Sequence, residues 1–75
     1  MLNNNMKTYV INSIEDLKQF ENNGKYIVDG NLEAYCSLNF NKLNKNLIVK
    51  GNLFIKSKDY IEVGGSIDVI GTIKE

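Results

Sequence analysis

Few residues in this chain have the type and spacing to do chemistry. It contains no histidine, which removes Ser-His and Cys-His nucleophile pairs and His-ligated metal sites. The single cysteine, Cys36, has no histidine to activate it and reads as a small corner residue rather than a nucleophile. The nine acidic residues are dispersed. Glu15 and Asp16 belong to a helix first turn, where acids complement the helix dipole. Gly64-Gly65-Ser66 lacks the Lys-Ser/Thr tail of a phosphate loop. No enzyme activity, cofactor or metal is expected.

What remains is surface chemistry. Asp29 and Lys50 are spaced to meet as a cross-rung ion pair, and Lys42, Lys45, Lys56 and Lys58 cluster on long corners. Five apolar residues, Ile27, Tyr35, Ile48, Phe54 and Ile70, fall at outward positions and are read as one contiguous patch for a protein partner. All nine basic residues are lysines, balanced by nine acids. Without the arginine forks that read guanine and phosphate, and without net positive charge, direct nucleic-acid binding is not expected. No apolar run is long enough to span a bilayer and no signal peptide is visible, so a cytoplasmic location is expected. One cysteine in 75 residues fits a reducing compartment.

A repeat positions these residues. Gly30-Asn31-Leu32 returns as Gly51-Asn52-Leu53 and again as Gly71-Thr72-Ile73, at glycine intervals of 21 and 20 residues. A period near twenty marks units that bury their apolar faces only by stacking. From Tyr26 onward apolar residues come in pairs spaced by two: Tyr26/Val28, Leu32/Ala34, Leu38/Phe40, Leu47/Val49, Leu53/Ile55, Ile61/Val63 and Ile67/Val69, then Ile73. Each pair is a short strand pointing two residues inward before a corner. The expected fold is mainly β, a short single-stranded β-helix (solenoid) of about 20-residue coils with one N-terminal capping α-helix. Its core columns are Tyr26/Leu47/Ile67, Val28/Val49/Val69 and Leu32/Leu53/Ile73. The glycine column marks a recurrent bend for which glycine's tolerance of positive φ is suited, and the Asn31/Asn52/Thr72 column suggests a side-chain ladder.

One domain spans 1–75, with a mobile tail over 1–6, a helix over 13–22 and coils over 26–75. Thr8 to Ile11 is a β-prone opening strand. Ser13 with Asp16 forms a capping box, Ile14, Leu17 and Phe20 make the apolar stripe, and Asn22-Asn23-Gly24 supplies a left-handed stop. The helix is expected to lie over Tyr26, Val28 and Leu32. The other end has no such lid, and Ile67, Val69 and Ile73 are expected to mediate a homodimer through the coil at 66–73.

The Ile-Val-Asp-Gly-Asn-Leu, Leu-Ile-Val-Lys-Gly-Asn-Leu and Ile-Glu-Val-Gly-Gly-Ser-Ile-Asp-Val runs carry two resemblances. The layout of helix plus coils resembles short β-solenoid proteins of phages and mobile elements in low-GC bacteria, some similar to anti-CRISPR inhibitors. That resemblance implies a non-enzymatic inhibitor that docks on a host protein complex, such as a CRISPR effector, in the host cytoplasm. The coils alone also resemble bactofilin-type polymer-forming β-helix repeats, which implies a self-assembling structural scaffold. This chain is far shorter than that family and starts with a helix that would block one polymerising end.

Overall fold

The computed structural model describes residues 6–40, 45–56, 63–64 and 66–75. The expected corners at Asn41, Lys42, Leu43 and Asn44 and at Ser57-Lys58-Asp59, the inward Ile61, Gly65 and most of the N-terminal tail lie outside the described residues. The protein is mainly β with one short helix. Its strands are β1 (Thr8–Ile11), β2 (Glu21–Asn22), β3 (Lys25–Val28), β4 (Asn31–Ala34), β5 (Leu38–Asn39), β6 (Asn46–Val49), β7 (Leu53–Ile55), β8 (Val63–Gly64), β9 (Ser66–Val69) and β10 (Ile73–Lys74). Three sheets result: sheet A in the order β1-β4-β7-β10, sheet B in the order β2-β3-β6-β9, and sheet C from β5 and β8. Every pairing except β2 with β3 is parallel. From β3 onward the chain visits B, A and C in turn.

Register follows the repeat. Tyr26 pairs with Leu47 and Leu47 with Ile67; Val28, Val49 and Val69 form the next column, and Leu32 pairs with Leu53, which pairs with Ile73. Strand alternation turns these residues to one side, and Val28, Val49, Leu32, Leu47 and Leu53 are fully buried. Leu38 on β5 and Phe40 just after it, with Ile11 and Leu17, complete a single core with no buried polar residue among the described ones. The core thins toward β9 and β10: Ile67 and Val69 are only partly buried, and Ile73 is 54% exposed.

The helix departs from expectation. It is a 3-10 helix over Ile14–Phe20, not an α-helix over 13–22. In a 3-10 helix residues i and i+3 eclipse, and Ile14, Leu17 and Phe20 are spaced by three. A period of three, not 3.6, puts all three on one face. Leu17 is buried, Ile14 and Phe20 pack at the core margin, and the helix lies against β3 and β1. The Phe20 ring meets Tyr9 edge-on, centroids 5.1 Å apart. At its start the Asp16 carboxylate accepts the N–H groups of Asn12 (2.8 Å) and Ser13 (3.2 Å).

Asn23-Gly24 does not stop the helix. Both residues have positive φ, 53° and 78°, and they join antiparallel β2 and β3 as a two-residue hairpin turn. β2 thereby covers the N-terminal edge of sheet B.

Candidate functional site

The column Gly30, Gly51 and Gly71 lies at the bend between sheets B and A. None of the three has positive φ, so their conformational freedom is not what the bend uses. Close approach is. Gly51 N–H donates to the Gly30 carbonyl at 2.8 Å and Gly71 N–H to the Gly51 carbonyl at 2.9 Å. A Cβ on Gly51 would stand 2.8 Å from the Gly30 oxygen, and one on Gly71 2.7 Å from the Gly51 oxygen. The neighbouring Asn column is a ladder of a kind different from stacked amides. Asn31 Oδ1 accepts the backbone N–H of Asn52 at 2.8 Å, and Asn52 Oδ1 accepts the N–H of Thr72 at 2.8 Å and its hydroxyl at 3.2 Å. Each side chain thus supplies a backbone-like acceptor to the next rung.

These bends set where the outward residues go. Ile27 and Ile48 are register partners on the outer face of sheet B, both partly buried, and the same column continues to the exposed Asp68. Phe54 lies on sheet A, between Glu33 and Lys74 in its column. Tyr35 (43% exposed) follows β4, and Ile70 (72% exposed) follows β9 just before Gly71. The structure brings Ile27 and Ile48 together and distributes Phe54, Tyr35 and Ile70 over another sheet and two corners. The five are not one contiguous patch, because a period-two pattern reports inward or outward but not which sheet a strand joins. Sequence reading missed Val10, 52% exposed on β1. The alternation of Tyr9, Val10 and Ile11 was the available signal.

The polar groups resolve differently from expectation. No ion pair joins Asp29 to Lys50; among the described residues Lys45, just before β6, pairs instead with Glu21 on β2. The Lys45 ammonium also stands 5.2 Å from the centroid of the Tyr26 ring. Hydrogen bonding to Glu21 holds the Lys45 pKa above its ordinary value. Lys45 is therefore engaged within the fold, Lys56 is exposed, and Lys42 and Lys58 lie outside the described residues. Cys36 is partly buried; desolvation first, then the Asp16 charge, pushes its thiol pKa up, which disfavours the thiolate. Among the described residues no group of three or more Cys, Asp or Glu is placed to hold a metal, and no helix is long and apolar enough to cross a membrane.

The residues expected to mediate self-association lie at one end of the ladders. β8, β9 and β10 are the last strands of sheets C, B and A. Ile67 and Val69 point toward the core, and Ile73 continues the Leu32/Leu53 column into solvent. No family model, curated protein or solved structure matches this chain.

Proposed function

We propose that this chain is a short β-solenoid that works without catalysis, as a protein-binding module. The observation that carries the reading is unbroken register: Tyr26–Leu47–Ile67 and Leu32–Leu53–Ile73 advance by 21 and then 20 residues. Such register turns outward side chains into straight columns about 4.8 Å per step, a rigid ruler suited to recognition. The column with the greatest apolar content is Ile27 and Ile48 on sheet B, and it is the proposed centre of contact. Phe54, Tyr35 and Ile70 would serve as separate contacts on neighbouring faces. In its most concrete form the module is a phage-type inhibitor that docks on a host defence complex, such as a CRISPR effector, and blocks it sterically.

The test is a target-cleavage assay with reconstituted CRISPR effectors of several types, with and without purified protein. Inhibition of one effector by wild type, lost in Ile48→Asp with unchanged circular dichroism, is the expected result. Full inhibition by Ile48→Asp removes the sheet B contact. Absence of inhibition across the panel removes the inhibitor form.

A second reading, a self-assembling scaffold, is favoured by the incomplete burial of Ile67, Val69 and Ile73 at the last strands. Concentration-dependent filaments in light scattering would support it, and a small discrete particle would oppose it.

A further inference from the structure

The rung of β9 and β10 keeps the glycine and valine columns but departs from the two before it in its outward positions. Asn31 and Asn52 each present a side-chain carbonyl to the following rung, but Thr72 has none to present and turns its hydroxyl back to Asn52. Ile27 and Ile48 give way to Asp68. At the B-to-A corner, Ile70 stands where Asp29 and Lys50 stood, its N–H bonded to Val49 as that of Lys50 is to Val28. The edge formed by β8, β9 and β10 exposes Ile70 by 72% and Ile73 by 54%, and leaves Ile67 and Val69 partly uncovered. At the opposite end the antiparallel β2 covers the edge of β3, and the 3-10 helix packs against the core.

We infer that the end formed by β8, β9 and β10 is covered by a second copy of this chain, across a two-fold axis that lies midway between β9 and its counterpart, level with Ile67. The inference rests on the solenoid reading above, in which successive strands each climb a third of a rung. The three edge strands then form a staircase with β8 lowest, β9 in the middle and β10 highest. A two-fold axis normal to sheet B exchanges the other two faces, so the highest strand meets the lowest. β9 pairs with its counterpart, β10 with the β8 of the second copy, and β8 with its β10. All three gaps close at one strand spacing, and all three pairs are antiparallel. No other relation between two copies closes the three edges with one self-pairing strand at the centre.

Register follows from charge and alternation. Inward residues must face inward residues, so the axis lies midway between a residue of β9 and the same residue of the second copy. Centred on Asp68, the pairing would set two carboxylates directly opposite each other, which is unfavourable. Centred on Ile67, it sets Ile67 against its counterpart inside and Asp68 against Ser66 outside, twice. Both Ser66 and Asp68 are exposed, so their charges can be altered without touching the core.

Sedimentation equilibrium of the 8.5 kDa chain tests this. Wild type is expected to be a dimer that dissociates on dilution. Ser66→Lys, placing lysine across from Asp68, should tighten it about fivefold, Ser66→Asp should weaken it about fivefold, and Ser66→Asp/Asp68→Lys should restore it. A wild type that stays monomeric at high concentration, open-ended polymers, or a dimer indifferent to both Ser66 variants overturns the proposal. Circular dichroism separates the two levels. A monomer with intact β signal sinks only the dimer, whereas a chain lacking β signal sinks the solenoid with it.

Discussion

The side-chain carbonyl of Asn31 accepts the backbone N–H of Asn52 at 2.8 Å, across 21 residues of sequence. Asn31 thus does for the corner what a peptide carbonyl does within a strand, and the partly buried N–H of Asn52 is left with water or nothing when that oxygen is removed. Asn31→Ala is expected to lower stability by about 1 kcal/mol in urea titrations, whereas Asn31→Asp, which keeps an acceptor in place, should cost less at neutral pH. Equal losses for the two variants would mean that the oxygen is not what matters.

Gly51→Ala tests the close approach at the same corner. Its Cβ would meet the Gly30 carbonyl, which belongs to backbone and cannot swing away, so a loss of about 1–3 kcal/mol is expected, the range for overpacking. Gly24→Ala meets no atom within 4 Å but must hold a φ of +78°, and should lose about 1 kcal/mol from left-handed strain alone. The two can be separated by a larger polar side chain: Gly51→Ser should be worse than Gly51→Ala, while Gly24→Asn should be better than Gly24→Ala.

The Leu32/Leu53/Ile73 column predicts a gradient. Leu53 is fully buried and Ile73 is 54% exposed, so Leu53→Ala should cost about 2–5 kcal/mol in dilute protein. Ile73→Ala should cost well under half of that. Comparable losses in urea titrations at low concentration would show that the last rung is as well packed as the middle one.

Lys45 and Glu21 form an exposed pair whose contribution depends on pH with a definite sign. The Lys45 pKa is raised in the folded chain, chiefly by its hydrogen bond to Glu21. The stabilisation is therefore complete below the unfolded lysine pKa of about 10.4 and is lost as pH climbs through the higher folded value. Thermal melts of wild type and Glu21→Gln should differ by a constant amount from pH 7 to 9, then converge at higher pH. A gap that widens there would contradict the pairing.

At Cys36, burial and the nearby Asp16 both disfavour the thiolate. Alkylation by iodoacetamide at pH 8 should run severalfold slower in the folded chain than in urea, and Asp16→Asn should recover part of the rate. A folded-state rate equal to the unfolded one would place the thiol in open water.

Two features show how local pattern and long-range structure divided the work. The spacing of Ile14, Leu17 and Phe20 by three already matched a 3-10 period, yet Ser13 and Asp16 suit the start of either helix type. What the structure adds is the packing of that face against β3 and β1, which no local pattern carries. Likewise Asn23-Gly24 suits a helix stop or a hairpin turn, and the choice fell to the hairpin because β3 offered β2 a strand edge.

The sequence by itself determined the repeat, the inward columns and the corner residues, because each unit sits in the surroundings of the last and a single pattern is written more than once. Tyr26, Leu47 and Ile67 could be aligned without coordinates for that reason. Only the tertiary structure decided which sheet each outward residue belongs to, separating Phe54 from Ile27 and Ile48. It also decided that Lys45 meets Glu21 rather than Lys50 meeting Asp29. Alternation along a strand distinguishes two sides, but the turn at each corner assigns the face, and that turn is set by packing between rungs.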